Sequence, residues 1–308
     1  ERLQEFHRRW YRPENTVVVA VGDVDSRLQA GLGGRWFGDW EGIGEGVDPP
    51  DFGDPKAPAD APDSVYAPIG EVGVAVEPDL PRGISYAIMR PWRQVDDTIV
   101  YNEGKMLDQV AQFILTRRLE SRARGGGNFL TASVVQDKYA RSTDMTVVNI
   151  EPLTSDWETA LDDVRGVIAD AVADAPRQEE IDQVVAQMDA SFVNYVEQRR
   201  VLAGSEFADT LVGAVDIREA VAAPEIFLKV FRDMKHRFTP EEVLAATRRI
   251  FSGDVVRVTY LTPETGEADE ASLRLAMAKE ITADSGARLA AKSISFDDLP
   301  PIGAPGVI

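Results

Sequence analysis

Residues 10–25 read Trp-Tyr-Arg-Pro-Glu-Asn-Thr-Val-Val-Val-Ala-Val-Gly-Asp-Val-Asp, an order that predicts the end of a helix, a turn, a strand and a second turn. Pro13 and Asn15 end the helix, because proline restricts the residue before it and asparagine favours turns. The run from Thr16 to Val21 is rich in β-branched residues and has no polar alternation. This pattern is typical of a strand that is covered on both faces.

The same order of elements returns near the other end of the sequence. Thr239 and Pro240 open a helix with a threonine cap and a proline at the first position, and Glu242 is placed to complete a capping box. Ser252-Gly253-Asp254 breaks this helix, and Val255 to Leu261 is the second strand. A helical pattern follows each copy, at residues 28–36 and 271–279. The spacing between the copies is that of a whole domain and not of a short repeat unit.

The residues between the two copies predict a compact domain from about residue 71 onwards. Strand patterns occur at residues 71–77, 83–90, 129–135 and 145–150. Helical patterns occur at residues 98–124, 178–200, 206–215 and 224–236, and Ser155 with Glu158 predicts a capping box for one more helix. We expect an α+β fold in which helices pack on one side of an antiparallel sheet. Strands joined by hairpin-length connections argue against a doubly wound parallel sheet.

Composition excludes several classes of protein. The net charge of -19, from 33 basic and 52 acidic residues, argues against nucleic acid and anionic membrane as partners. The absence of cysteine excludes disulfides and thiolate chemistry, and it fits either the cytoplasm or the periplasm. No apolar run approaches the roughly 20 residues that cross a bilayer. Because the sequence starts at Glu1 in the middle of a helical pattern, we expect it to be part of a longer protein.

Several motifs resemble one known family. Residues 6–15, the valine strand, Gly22 to Asp25 and Trp36 to Asp39 are similar to the sequence that closes one repeat in the insulinase/pitrilysin zinc metallopeptidases. Further similarity lies in Thr116 to Glu120, Phe129 to Ser133, the helix at 178–200, and Ser295 to Pro300, which resembles a connector to a following repeat. The resemblance implies homologous α+β repeats that pair like the shells of a clam around a peptide-binding chamber.

The resemblance also divides the chain. It implies that residues 1–41 are the C-terminal end of a preceding repeat and that residues 42–70, rich in glycine, proline, aspartate and alanine, are a linker. Residues 71–265 are then one metallopeptidase-like repeat, and residues 266–308 are a helix and a linker to a following repeat.

The family's catalytic motif is absent. His-x-x-Glu-His places two histidines on one helical face to hold zinc, and its glutamate activates water. This chain has two histidines, His7 and His236, far apart in sequence, and the long helix at 98–124 contains Glu103, Asp108 and Glu120 but no histidine. The resemblance therefore implies an inactive repeat with no catalytic residue, metal ligand or cofactor of its own. Zinc would lie in an active repeat of the parent protein or in a partner chain.

Arg117, Arg118, Arg122 and Arg124 form the one concentrated basic cluster in this acidic sequence. In the family, the partner half-shell contributes an arginine and a tyrosine to hold the substrate backbone. Arg124 matches that arginine, whereas Leu130 and Thr131 stand where the tyrosine is expected. We take Arg124 and Phe129 as candidate substrate-binding residues. A solvated helix end, with arginines near the carboxyl-terminal dipole, is the open alternative.

Paired acids and isolated histidines offer other sites. Adjacent carboxylates on a helix point to different faces, and most of the pairs lie at helix starts, where acids are favourable. These pairs are Asp96-Asp97, Asp162-Asp163, Glu179-Glu180, Glu241-Glu242 and Asp297-Asp298. We expect His7 to be solvated or partly packed and His236 to interact with a helix carboxyl terminus. None of these patterns favours catalysis.

The sequence thus favours a non-catalytic repeat of a zinc metallopeptidase that supplies a chamber wall and contacts to a peptide substrate. Its partner would be a catalytic repeat of the same protein or of another chain. One alternative is a scaffold or assembly subunit of the same fold, which a missing His-x-x-Glu-His motif in the parent protein would favour. A second is an unrelated carboxylate-based hydrolase, which a deep cavity with two convergent acids would favour. We expect the periplasm as the compartment, with the cytoplasm as the alternative.

Overall fold

A computed structural model describes residues 1–288 except Val24, Pro49 and Arg200. The predicted connector Ser295 to Pro300 and the acidic pair Asp297-Asp298 lie outside the described residues. The helices within them are α1 (Arg2–Trp10), α2 (Ser26–Phe37), α3 (Ile99–Arg124), α4 (Trp157–Ala173), α5 (Gln178–Gln198), α6 (Gly204–Ile217), α7 (Pro224–Asp233), α8 (Pro240–Ile250) and α9 (Glu270–Ala278). The strands are β1 (Ile69–Val76), β2 (Gly83–Pro91), β3 (Phe129–Tyr139), β4 (Thr143–Pro152) and β5 (Val255–Thr262).

The predicted α+β fold is confirmed. A five-stranded sheet has the order β1-β5-β2-β4-β3 and is antiparallel except for the parallel pair of β1 and β5. Strands β1 and β2 are consecutive in the chain but are not hydrogen-bonded to each other, because β5 lies between them. The six residues Glu77 to Arg82 span two strand spacings of about 4.8 Å each, which is within reach of a connection of that length.

The core lies between one face of the sheet and the helices. On β2, Ile84, Tyr86 and Ile88 are buried while the alternating residues are only half-buried, as expected when one face of a sheet is covered. Helix α3 packs against β3, α4 against β4, and α9 against β1. The helices bury Leu107, Val110, Ile114, Leu161, Val164, Ile168, Val243 and Ile250 against that face.

The prediction of a strand at residues 16–21 is wrong. No strand forms there, and Val17 and Val18 are 62% and 60% exposed. A strand is stabilised by hydrogen bonds to its neighbours, and no strand of the described residues pairs with this segment. In contrast, its counterpart β5 lies between β1 and β2, and five of its eight residues are buried.

Helix caps and apolar faces differ from prediction in detail. Asp156, and not Ser155, caps α4 by accepting a hydrogen bond from the Thr159 amide. Thr239 caps α8 as predicted, but the Glu242 carboxylate bonds Arg237 instead of completing a capping box. Helix α3 buries Leu107, Ala111 and Leu115 and leaves the apolar side chains of Ile99 and Phe113 exposed.

Candidate functional site

The face of the sheet opposite the helices is open. Its central row crosses all five strands and consists of small side chains at Ser133, Asn149, Ser85, Thr259 and Gly73. The Ser85 hydroxyl lies 2.9 Å from the Asn149 side-chain oxygen, so these two side chains of the row are hydrogen-bonded to each other.

The next row of this open face is more apolar, with Val135, Val147, Ala87 and Arg257 side by side. Members of both rows are half-buried or exposed, and no helix of the described residues covers them. These two rows therefore offer a mixed surface on which Arg257 is the one charged side chain.

Strand β3 is a free edge of the sheet. It pairs only with β4, so alternate backbone groups on its other side face away from the sheet. The carbonyl of Val134 is one of these groups, because it accepts a hydrogen bond of 2.7 Å from the Gln112 side chain of α3. By strand alternation the outward groups are those of Ala132, Val134, Gln136 and Lys138. Gln112 caps the Val134 carbonyl, and the Asp137 carboxylate accepts a hydrogen bond from the Lys138 amide at 2.8 Å, which leaves the groups of Ala132 and Gln136 available for pairing.

The basic cluster of α3 separates into a buried and an exposed part. Arg118 is 1% exposed and donates hydrogen bonds to both oxygens of Glu180 and to Asp170. Arg122 bonds Asp163. These two arginines join α3 to α4 and α5, so a role in substrate binding does not fit them.

Arg124 points to solvent at the carboxyl end of α3. Its side chain is 70% exposed, and it forms an ion pair with Glu120 of the same helix at 3.6 Å. Phe129, the other candidate contact, is 2% exposed with its ring in the core, so a peptide can meet only its main chain. The structure does not bring the guanidinium and the ring together. The substrate-binding roles of Arg124 and Phe129 stay predictions, and for Phe129 a contact through the side chain is excluded because the ring is buried.

The two histidines lie apart from each other, and each contacts a neighbouring residue in its own segment. Among the described residues, no group of at least three His, Cys, Asp or Glu side chains is arranged to hold a metal ion. His7 stacks on Tyr11 with ring centroids 4.7 Å apart, and the His236 Nδ1 lies 3.2 Å from the carbonyl of Asp233 at the end of α7.

A cavity of about 760 Å³ lies beside β3, and we call it the α3 cavity. It is bounded by the first half of α3, by the β3–β4 end of the sheet, and by the ends of α6 and α8. Lys105 and Lys138 line it, and both bond Glu219, which follows α6. These three residues come from separate elements, so sequence patterns gave no signal that they would meet.

Charge pairing sets the pKa values around the α3 cavity. Burial raises the pKa of Glu219, but hydrogen bonds from Lys105 and Lys138 outweigh it and hold the pKa below its usual value. For Lys138, burial lowers the pKa, and the contacts to Glu219 and Tyr101 outweigh it and raise the pKa. Glu219 and Lys138 are therefore both charged near neutral pH.

Two further acids, Asp108 and Asp144, line the α3 cavity. Burial raises the pKa of Asp108, and its hydrogen bond with Arg249 only partly offsets this rise. Asp144 pairs with Arg90 at 3.3 Å. Because each carboxylate is engaged by an arginine, neither is free to activate water or to protonate a leaving group. The cavity does not support a carboxylate-based hydrolase.

No helix within the described residues has the length and the apolar composition of a membrane-spanning helix.

A family model described as the Peptidase M16 inactive domain matches residues 1–188, more than half of the chain. Protein YhjJ of Escherichia coli K12 is 23% identical over 312 residues, which cover 98% of this chain and 58% of that protein. The chain thus spans little more than half the length of this curated relative.

Solved structures share the fold. The first half of the periplasmic protease PqqL from Escherichia coli superposes with a TM-score of 0.71 at 15% identity, covering 92% of this chain and 60% of that chain. A predicted insulinase family protease from Yersinia pestis gives 0.68 at 14% identity, covering 90% and 58%. A peptidase M16 inactive domain from Pseudomonas fluorescens gives 0.60 at 16% identity, covering 87% and 58%.

These matches confirm the resemblance to the insulinase/pitrilysin peptidases and remove the alternative of an unrelated hydrolase. The family match rests on more than half of the chain, and the solved structures reproduce its α+β fold. The chain belongs to the M16 peptidase family and carries that family's inactive domain.

Proposed function

We propose that this chain is the non-catalytic half of a zinc metallopeptidase and forms one wall of an enclosed peptide-binding chamber. The observation that carries the proposal is the open sheet face, bordered by the free edge of β3, in a chain of the inactive-domain family. An extended peptide can add to a sheet edge through main-chain hydrogen bonds, and small flat side chains let it approach closely. A wall of this kind binds substrate and excludes water without performing chemistry.

The catalytic zinc belongs, in this proposal, to a repeat that carries His-x-x-Glu-His, either in the same protein or in a partner chain. The described residues contain no ligand set that replaces it. The match covers 58% of YhjJ, and a parent protein of that length has room for a further repeat. A scaffold subunit of the same fold is the alternative, and the presence or absence of that motif in the parent protein decides between the two.

Residues 1–41 complete a different repeat in this proposal. Thr16 to Val21 corresponds in the internal duplication to β5, which is paired on both sides, yet here it is unpaired and exposed. Helices α1 and α2 bury no residue, whereas α8 and α9 bury Val243, Ile250, Leu273 and Met277. A second α+β unit that supplies two flanking strands would cover this apolar surface.

We place the protein in the periplasm, because PqqL, whose fold it shares, is a periplasmic protease. The proposal rests on that likeness and on a chain without cysteine, which fits an oxidising compartment as well as a reducing one.

Arg124 offers a test in the assembled two-repeat protein. We expect Arg124→Ala to raise KM for a quenched fluorescent peptide about 5- to 10-fold with kcat nearly unchanged, because a charged contact remote from the metal contributes binding equally to substrate and transition state. The matched control is Lys229→Ala, which removes the cation of another exposed i,i+4 pair, on α7. Equal KM values for the two variants would contradict a substrate contact at Arg124.

A further inference from the structure

We propose that the groove between α3 and α5, which we call the α5 groove, binds an uncharged apolar side chain of the peptide that pairs with the edge of β3. The inference rests on the peptide-binding role proposed above and names the class of side chain that this half of the chamber selects. The groove lies on the helix side of the sheet and is separate from the open face.

The α5 groove is a small site with an apolar floor. Its volume of about 370 Å³ lies at the lower end of the range of roughly 300–1,000 Å³ that is usual for small-molecule sites. Val184 and Met188 of α5 are buried at its floor, and Phe113 of α3 and Phe192 of α5 also line it. Phe113 is 47% exposed, so its ring offers apolar surface to a ligand. A groove of this size accommodates one large side chain.

No charged side chain lines the α5 groove within the described residues. Its polar lining consists of neutral side chains, those of Gln109, Gln112, Gln187 and Ser191. Charged residues that adjoin the lining have partners elsewhere, since Asp108 pairs with Arg249 and Asp189 pairs with Arg232. A carboxylate or ammonium group that leaves water without a partner is costly, so the groove favours an uncharged side chain.

One residue joins the α5 groove to the free edge of the sheet. Gln112 lines the groove, and its side-chain amide donates a hydrogen bond of 2.7 Å to the Val134 carbonyl on the outer side of β3. This amide takes the place that a backbone N–H of an added strand would take. The backbone groups of Ala132 and Gln136, on either side of Val134, are open to the same strand among the described residues. The edge and the groove are therefore connected through a single side chain.

Strand geometry directs side chains of an added strand towards the α5 groove. A strand that pairs with β3 lies about 4.8 Å beyond it, and every second side chain points to the helix face of the sheet. On β3 the helix-facing residue at this level is Val134, which is buried. A peptide residue opposite Val134 shares its face and therefore points towards α3 and the groove. Main-chain hydrogen bonds then hold the peptide, and the groove selects the side chain.

Met188 determines how narrow this selection is. Methionine is flexible and polarizable, so it adapts to apolar partners of different shape. We expect leucine, methionine and phenylalanine to be accepted at one position of the peptide, and alanine, glutamate and lysine to be disfavoured there.

The test titrates heptapeptides of the form acetyl-Ser-Thr-Ser-X-Ser-Thr-Ser-amide, with Leu, Ala, Glu or Lys at X, into the 308-residue chain labelled with carbon-13 at its methionine methyl groups. The chain has six methionines, and Met188→Leu identifies the NMR signal of Met188. We expect the leucine peptide to shift this signal and to bind about 10-fold more tightly than the alanine peptide, because it buries more apolar surface. The glutamate and lysine peptides should bind most weakly.

Two variants test the walls of the α5 groove. Phe113→Ala removes apolar surface and Ser191→Tyr fills the groove from α5, so each should reduce the preference for leucine over alanine to below about 3-fold. Leu275→Ala, which alters an exposed leucine of α9 outside the groove, should leave the preference unchanged. Circular dichroism and a thermal melt establish that each variant is folded before its affinities are compared. An unchanged preference in both folded groove variants would contradict the site.

Methylation of the peptide backbone nitrogens separates this inference from the proposed function. N-methyl groups on both sides of X remove strand hydrogen bonds, so they should weaken the leucine peptide about 10-fold or more. Equal affinities for all four peptides, with the effect of N-methylation retained, would overturn the groove and leave edge pairing intact. A leucine preference without any effect of N-methylation would contradict edge pairing itself. No shift of the Met188 signal at millimolar leucine peptide would also overturn the groove.

Discussion

Replacing Arg118 with alanine is expected to lower the free energy of unfolding by about 3–5 kcal/mol, because removing one partner of a buried ion pair leaves an uncompensated charge. The guanidinium is the main partner of Glu180, at 3.0 and 3.1 Å, and it also bonds Asp170 at 3.3 Å. Both carboxylates are almost fully buried. Asp170 keeps its bonds to Arg288, whereas Glu180 loses its main cation. Urea unfolding measures the loss.

Arg117→Ala is the matched control. Arg117 is the preceding residue of the same helix, and its guanidinium contacts only the exposed Gln183 and Gln187 among the described side chains. We expect a change within about 0.5 kcal/mol, as for other surface substitutions. A loss of similar size in both variants would mean that helix propensity, and not the buried pair, explains the effect.

The buried pair also has a pH signature. Burial raises the pKa of Glu180, but the hydrogen bonds and charge of Arg118 outweigh it and leave the pKa below its usual value. A lowered folded-state pKa stabilises the protein above the unfolded pKa of about 4.5, and this contribution disappears as pH falls through the folded value. The stability lost by Arg118→Ala should therefore shrink below about pH 4. A loss that is independent of pH would contradict this origin.

Arg165→Met is expected to cost about 2–3 kcal/mol, less than Arg118→Ala. Arg165 is fully buried, and it donates to the carbonyls of Ala276, Met277 and Lys279 at the carboxyl end of α9. Its removal leaves neutral carbonyls unpaired, which costs about 1–3 kcal/mol, and the methionine restores part of the packing. No buried carboxylate loses its partner here, so the loss should be the smaller of the two.

Arg248→Met provides the comparison for Arg165. Arg248 makes the same kind of contact, to the carbonyls of Val172 and Ala173 at the end of α4, but it is exposed. Water can replace its hydrogen bonds, so we expect a loss below about 0.5 kcal/mol in urea unfolding. If Arg248→Met cost as much as Arg165→Met, burial of the guanidinium would not be the cause.

Local patterns predicted most helices and strands, because caps and apolar periodicity are properties of neighbouring residues. The bounds of α3, with Thr98 as its cap, and of β5 follow directly from such patterns. The insertion of β5 between β1 and β2 could not be predicted in this way, because it depends on pairing between residues far apart in sequence. The strand at 16–21 failed for the same reason, since its pattern requires neighbours that the described residues do not supply.

The basic cluster shows that a sequence pattern can locate charged residues without identifying the side chains that they bond. Four arginines near the end of a helix suggest a charged surface, yet Arg118 lies one turn beyond Ile114 on the apolar face. Asp170 likewise interrupts the apolar face of α4. The available signal for a buried ion pair was therefore a cation, Arg118, on the apolar face of α3 together with an acid, Asp170, on the apolar face of α4. No such signal existed for the α3 cavity, because its lysines and Glu219 come from unrelated elements.

The central claim is that this chain supplies a wall of the peptidase and not its metal. The most direct measurement is zinc content by mass spectrometry, together with cleavage of a quenched peptide, for the 308-residue chain alone and assembled with a repeat that carries His-x-x-Glu-His. The account predicts zinc far below one per chain and no cleavage for the chain alone, and about one zinc with cleavage for the assembly. One tightly bound zinc on the isolated chain, lost in His7→Ala or His236→Ala, or cleavage by the isolated chain, would contradict it.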